Sequence, residues 1–344
     1  MADTKISQLP AATTPLSGTE LVPLVQSGAT VQTPISDVTA PCAKLASANT
    51  FATDQTVTGT LVMSSSFLRN RIINGDMRID QRNAGASVTP VTDQYTLDRW
   101  NVAITTGSKF SIQQQTAVVP TGFSHAIKVT SLSAYAVVAG DYLIINQPIE
   151  GFNFSDLSWG AASAQSATLS FWVQSSLTGT FGGAIGNSGA TRSYPFTYSI
   201  AAANTWTKIS VTIPGDTTGT WLTTNGAGAY VIFSLGAGST FSGTANAWVG
   251  SNIRSATGAV SVVGTNAATW YVTGVQLEAG SAATPFERRQ YGQELALCQR
   301  YFYKVASIPL GFAIDAARPS ALVTHKVTMR TAPTAANGTF VASA

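Results

Sequence analysis

Apolar and polar residues alternate with a period of two through the middle of the chain. Leu169, Phe171 and Val173 alternate with Ser170 and Trp172; Ile209, Val211 and Ile213 with Lys208, Ser210 and Thr212; Val231, Phe233 and Leu235 with Ile232 and Ser234. In a strand that period sends one set of side chains to each face of a sheet. The same patterning predicts strands at 71–79, 99–104, 109–115, 126–130, 142–149 and 270–277. About nine strands separated by Gly, Pro, Asn and Ser predict an all-β, antiparallel β-sandwich over residues 69–284, not a β-α alternation. A jelly roll is the expected topology.

The flanks read differently. Over residues 1–40, Pro10, Pro15, Pro23 and Pro34 leave no room for a helix, so an extended arm is predicted. Glu20–Val25 and Ala29–Thr33 form strand-like pieces with Ser27-Gly28 turning between them. One hairpin alone is marginal, so the arm gains order by docking on another surface or stays a disordered leader. Residues 41–68 scatter Leu45, Phe51, Val57, Leu61 and Val62 among small polar residues and read as a connector turning at Thr58-Gly59-Thr60. At the other end, Thr284-Pro-Phe-Glu287 has the form of a capping box with proline at the first helical position, predicting a helix over 285–304. Tyr291, Leu295, Cys298 and Phe302 then form one apolar stripe, with Arg288, Gln293 and Arg300 off it. The stripe packs on its own sandwich or forms a seam between subunits. The tail, 305–344, holds strand-like pieces at Ile308–Ile314 and Ala321–Met329. It stops in strand-like sequence at Thr339–Ala344, which a partner strand or further sequence is expected to complete.

Composition narrows the class. Only 10% of the 344 residues are charged, against about 25% in a typical soluble domain. Solubility therefore rests on Ser, Thr, Asn, Gln and Gly. A net charge of +3 without a dense Lys/Arg cluster argues against a nucleic-acid partner. Cys42 and Cys298 match no metal or redox spacing. The start lacks a basic segment followed by an apolar run, and no 18-residue apolar stretch occurs, so neither a signal peptide nor membrane insertion is expected. Such a chain suits a particle assembled inside a cell and released by lysis.

Candidate chemistry is sparse. Asp76, Asp80, Asp93 and Asp98 are the one dense acidic group, but Asp76 and Asp80 on one strand face would stand roughly 13 Å apart, beyond the reach of a glycosidase pair. Salt bridges to Arg78, Arg82 or Arg99 and a turn at Asp93 are the expected roles. His125 and His325 lie near no nucleophile motif, and the glycine clusters 179–189 and 226–243 lack the lysine and βαβ setting of a phosphate cradle, so they read as loops. No enzyme activity, metal or cofactor is expected. Sugar binding needs exposed aromatic platforms beside amides and hydroxyls. Trp100 falls with the core by parity, and Trp172 and Trp206 fall on the polar face. Trp159, Trp221 and Trp248, in loop-like sequence, and Tyr194 beside Arg192 are the candidates for a glycan surface. The competing reading has them sealing loops or packing on neighbouring subunits.

Two stretches carry a resemblance. Lys5-Ile-Ser-Gln-Leu-Pro, followed by Gly18-Thr-Glu-Leu-Val-Pro23, resembles the N-terminal segment of phage tail-fibre and related virion proteins. Asn70–Arg82, Tyr95–Trp100, Thr168–Val173, Trp206–Val211 and Gly274–Gly280 are together similar to the strand series of carbohydrate-binding-module-like jelly rolls in phage virion proteins. The first resemblance implies attachment to tail, neck or capsid proteins of a virion through Ile6, Leu9, Leu21, Val22, Leu24 and Val25, and a homotrimer. The second implies a jelly roll that binds a host surface glycan or serves only as structure. Together they imply a tail fibre or spike used in host attachment. A neck, collar or capsid fibre without receptor duty is the alternative, and a capsule depolymerase the second, with no β-helix repeats to support it.

Overall fold

The computed structural model describes residues 21–26, 29–34, 69–304, 311–315, 318–321 and 324–334. The chain divides into two units, residues 1–63 and 64–344. In the first, β1 (Leu21–Gln26) pairs antiparallel with β2 (Ala29–Pro34), Leu21 opposite Pro34 and Gln26 opposite Ala29. Ile6, Leu9, Ser27, Gly28, the connector 41–68 and the final stretch 339–344 lie outside the described residues.

The second unit contains β3 (Gln94–Leu97), β4 (Trp100–Ile104), β5 (Phe110–Gln115), β6 (Ala126–Ser131), β7 (Tyr142–Glu150), β8 (Ala167–Ser175), β9 (Gly179–Asn187), β10 (Ser193–Ile200), β11 (Thr207–Ile213) and β12 (Ala227–Ala237). It continues through the two-residue strands β13 (Ser242–Gly243) and β14 (Ser255–Ala256), then β15 (Thr269–Ala279), helix α1 (Tyr291–Gln299), and β16 (Gly311–Asp315) with β17 (Arg318–Ala321). One sheet has the order β10-β9-β12-β7-β4-β3 and the other β11-β8-β15-β6-β5. Every ladder in these two sheets is antiparallel.

Taking β6 to β12 and β15 alone, the orders become β6-β15-β8-β11 facing β7-β12-β9-β10. Each strand crosses to the opposite sheet from its predecessor, except in the hairpin β9–β10. This is the strand order of a jelly roll. β5 extends one sheet, and β4 and β3 the other.

The inward faces bury Trp100, Phe110, Phe171, Phe181, Phe196, Phe233 and Trp270. Phe233 contacts Phe171 at 5.0 Å, Trp270 at 5.6 Å and Trp100 at 6.3 Å, and so joins the two sheets. The indole N–H groups are satisfied within this core, Trp100 donating to Asn74 O (3.0 Å) and Trp270 to Tyr198 Oη (3.1 Å). Each such ring contributes about 1.5–3 kcal/mol by burial.

Three expectations are corrected. Residues 71–79 form no strand, because side chains replace the ladder. Asn74 Nδ2 donates to Ile79 O (2.8 Å) and Asp98 O (3.0 Å), its Oδ1 accepts from Ile79 N (3.0 Å), and the Gln147 amide closes on both the N–H and C=O of Ile73. Much of the glycine cluster 179–189 is not loop but strand β9. A Cβ on Gly183 would stand 2.5 Å from the Phe196 ring, so glycine is what lets that ring lie over the strand. The predicted helix begins late, at Tyr291, because the capping residues are engaged elsewhere: Thr284 donates to Glu278, and Glu287 accepts from Asn70 N at 2.6 Å. Of the stripe, Cys298 is buried against Ile73 and Ile79 with Leu295 beside it, so it packs within its own unit, while Tyr291 is 54% exposed and Phe302 lies beyond the helix. The tail pairs β16 with β17, offset from the strand-like pieces at 308–314 and 321–329.

Candidate functional site

The four aromatic candidates converge, although on each other. Trp159 contacts Trp221 at 4.9 Å and Trp248 at 5.1 Å, Trp221 contacts Trp248 at 5.6 Å, and Tyr194 contacts Trp248 at 5.2 Å, with Phe154 beneath both Trp159 and Trp221. Trp159 and Trp221 are 7% exposed and Tyr194 4%, while Trp248 is half-buried. Tyr194 belongs to strand β10, not to a loop. Below the rings, Asp216 takes both arms of Arg192 at 2.8 and 2.6 Å and the Trp221 indole N–H at 3.1 Å. Burial draws the Asp216 carboxyl upward, but these donors outweigh it and hold its pKa below the ordinary value. The exposed platform expected of these residues is therefore corrected: their faces are occupied by one another, and the cluster seals the 151–165, 214–224 and 244–249 loops.

The acidic group is likewise committed to structure. Asp76 pairs with Arg78, Asp80 accepts from the N–H groups of Asn83 (2.9 Å) and Gly85 (2.8 Å), Asp93 from Ile104 N, and Asp98 from the Gln81 side chain. His125 Nδ1 meets Ser124 Oγ at 2.8 Å on an exposed turn, and His325 meets Tyr303 Oη.

Further aromatic residues, the half-buried Trp172 and Trp206 among them, sit on the outer face of the five-stranded sheet. Register aligns Lys208, Trp172 and Thr273 in one row across β11, β8 and β15, and Gln174, Tyr271 and Lys128 in the next across β8, β15 and β6. Trp172 is half-buried, as is Trp206, whose ring meets that of Tyr271 at 6.1 Å. Beside Trp172, Phe123 and Phe286 stand edge to face at 5.3 Å beneath the Arg288 guanidinium, 4.6 Å from the Phe123 centroid. A hollow of about 300 Å³ opens between Trp172, Lys208, Phe123, Phe286 and Arg288, with no carboxylate in its wall.

Its floor depends on Gly274, in an irregularity of β15 between Thr273 and Gln276, with φ +62°. A Cβ there would lie 2.6 Å from the Phe123 ring and 3.2 Å from Trp172. The buried indole N–H of Trp206 has no partner. Flat apolar ring faces beside cations and the hydroxyls of Ser170 and Thr284 suit a ring-shaped, hydroxyl-rich ligand: its C–H faces stack while its oxygens bond. Parity in the sequence places Trp172 and Trp206 on this face, whereas loop composition points to Trp159, Trp221 and Trp248, whose rings cover one another.

A second cleft, of about 330 Å³, lies on the outer face of the six-stranded sheet, between Tyr95, Asn101, Asn146 and Tyr230 on the strands and Tyr301, Phe302 and Arg330 beyond α1.

No family model matches the sequence, and no curated protein matches it. Among solved structures, the chain is similar to the enzymatically active domain of tailspike protein 4 from bacteriophage CBA120 (12% identity, TM-score 0.33), covering 61% of this chain and 21% of that one. It therefore spans about a fifth of the tailspike domain's length. It is also similar to TmCBM61, solved in complex with β-1,4-galactotriose (9% identity, TM-score 0.32, 62% and 99% covered). A third neighbour is a putative sugar-binding protein from Bacteroides thetaiotaomicron (13% identity, TM-score 0.35, 62% and 100% covered). The jelly-roll assignment rests on the strand order itself.

Proposed function

We propose that this chain is a structural protein of a phage virion, a tail fibre or spike attached through its N-terminal arm, whose jelly roll binds a host surface glycan without cleaving it. The N-terminal resemblance supports the location: hydrophobic Leu21, Val22, Leu24 and Val25 fall in the β1–β2 hairpin, an element too small to be stable alone. The observation that carries the binding reading is the half-buried indole of Trp172, set beside Lys208, Arg288 and the Gly274 floor in a hollow on the sheet's outer face. Trp172 stacks the sugar ring, Trp206 extends the platform, and Lys208 and Arg288 donate to ring or substituent oxygens.

Four experiments test this. Mass spectrometry of purified particles is expected to find the chain in the virion, and light scattering of the purified protein to give a trimer. On a glycan array the wild-type protein is expected to retain a defined set of host glycans, and Trp172→Ala to lose them with unchanged folding. Retention by Trp172→Ala equal to wild type removes the binding site. Shortened polysaccharide after incubation establishes a depolymerase instead.

A further inference from the structure

The cleft over the six-stranded sheet contains polar groups that the fold leaves unmatched. Asn146, on β7, is 4% exposed, makes no hydrogen bond through Oδ1, and lines the cleft floor beside Asn101 of β4, its register neighbour. A buried amide acceptor without a donor costs about 1–3 kcal/mol. Two donors in the same wall are also unmatched, the Nε groups of Arg99 and Arg82.

Both arginines are held in place by other contacts. Arg99 is 5% exposed, donates through Nη2 to Pro148 O and lies 3.5 Å over the Tyr301 ring. Arg82 lies 3.7 Å over Phe302 and 5.0 Å from the Tyr95 centroid. Burial lowers the Arg82 pKa, the sign of a cation short of solvation.

Charge points the same way. Three arginines, Arg82, Arg99 and Arg330, face two carboxylates in the lining, and one of these, Glu150, is already neutralised by Arg300 and bonded by Tyr301. The other, Asp98, takes both the backbone and the side-chain N–H of Gln81. The cleft thus offers an excess of positive charge, unmatched N–H donors, an unmatched amide acceptor, and the Tyr95 and Tyr230 rings at its mouth. A ligand complementary to all four carries a carboxylate, a hydroxyl that donates, and a flat apolar ring face.

We infer that this cleft is a second, separate binding site, for a carboxylate-bearing sugar unit such as a hexuronate or a nonulosonate. The carboxylate lies toward Arg82, Arg99 and Arg330, a hydroxyl donates to Asn146 Oδ1, and Tyr230 or Tyr95 covers the ring. At about 330 Å³, the cleft falls at the small end of ligand pockets, which run from about 300 to 1,000 Å³, and so takes one or two units rather than a chain.

The site is independent of the Trp172 face, and the experiment separates them. The full chain is titrated with an oligogalacturonate, a sialyl oligosaccharide, the carboxyl-reduced form of each and a hexose phosphate. One acidic probe is expected to bind, with its neutral counterpart at least about tenfold weaker. Asn146→Ala, which removes an unmatched buried group and keeps the strand, is expected to weaken binding about tenfold, Arg330→Gln at the rim similarly, and Trp172→Ala not at all. Equal binding of acidic and reduced probes, preference for a phosphorylated sugar over either acid, no binding of any probe, or an Asn146→Ala protein that binds as wild type while unfolding at the same urea concentration each overturns the inference. Loss in Trp172→Ala alone returns the acidic ligand to the other face.

Discussion

Replacing Trp221 by alanine separates a buried cluster from a binding platform. Trp221 is 7% exposed and packs against Phe154 at 5.7 Å, Trp159 at 4.9 Å and Trp248 at 5.6 Å. Truncating a buried Trp costs about 3–5 kcal/mol, and here the indole N–H also bonds the buried Asp216 carboxylate, a contact worth about 1.5–3 kcal/mol. The loss therefore falls at the upper end, about 4–5 kcal/mol, which for a domain of this size lowers Tm by roughly 8–20 °C. Trp221→Phe keeps most of the packing and loses the bond, and is expected to cost about 1–3 kcal/mol. Urea unfolding followed by near-UV circular dichroism reads both, as a lower midpoint with an unchanged slope. Glycan retention of the folded fraction stays at the wild-type level. A Trp221→Ala protein within about 1 kcal/mol of wild type that no longer retains glycan would make these rings a ligand surface and not a buried cluster.

Other expectations follow from particular contacts. Asp216 has its folded pKa held below the ordinary carboxylate value, so its stabilising effect is full above the unfolded pKa near 4 and disappears as pH falls through the lower folded value. The stability difference between wild type and Asp216→Asn is therefore constant from pH 8 to about 5 and shrinks in more acid solution; a difference growing toward low pH contradicts this. Gly274→Ala must adopt φ +62° and displace Phe123. It is expected to cost about 1–3 kcal/mol and to abolish binding at the Trp172 face, and an unaltered protein would show the floor is not built as described. Cys298 is 1% exposed and burial pushes its thiol pKa up, so in a Cys42→Ser chain a thiol reagent reacts only on unfolding; prompt labelling in buffer counts against its buried position.

The sandwich was legible where packing is regular. In β8, β11 and β12, alternate residues fill the space between two sheets, and the period of two follows directly. It failed where side chains substitute for backbone pairing, as at Asn70 and Asn74, which make segment 71–79 a hydrogen-bonded coil with strand-like composition. It failed again in β9, where Gly182 and Gly183 sit under Ser255 and Phe196 and so look like loop sequence in a buried strand. The capping box at 284–287 is diverted by two partners, Glu278 six residues before Thr284 and Asn70 217 residues before Glu287. A partner some 200 residues away leaves no local trace.

The site was half legible for a related reason. Parity distinguishes the outward Trp172 from the inward Phe171, but nothing local tells that four aromatic residues in loop and edge-strand sequence will meet one another around Asp216. The Asn146 cleft left still less trace, since its walls come from β3, β4, β7, β12 and the segment after α1. Strand register and the packing of the segment after α1 together bring those residues to one place.

Glycan binding by the jelly roll is proposed to run through Trp172 on the outer face of the five-stranded sheet, and calorimetric titration of the best array ligand into wild type, Trp172→Ala and Trp221→Phe decides it. Trp172→Ala is expected to weaken binding at least about tenfold, the equivalent of about 1.4 kcal/mol, while Trp221→Phe binds as wild type. Equal affinity in wild type and Trp172→Ala, or a loss confined to Trp221→Phe, would contradict it.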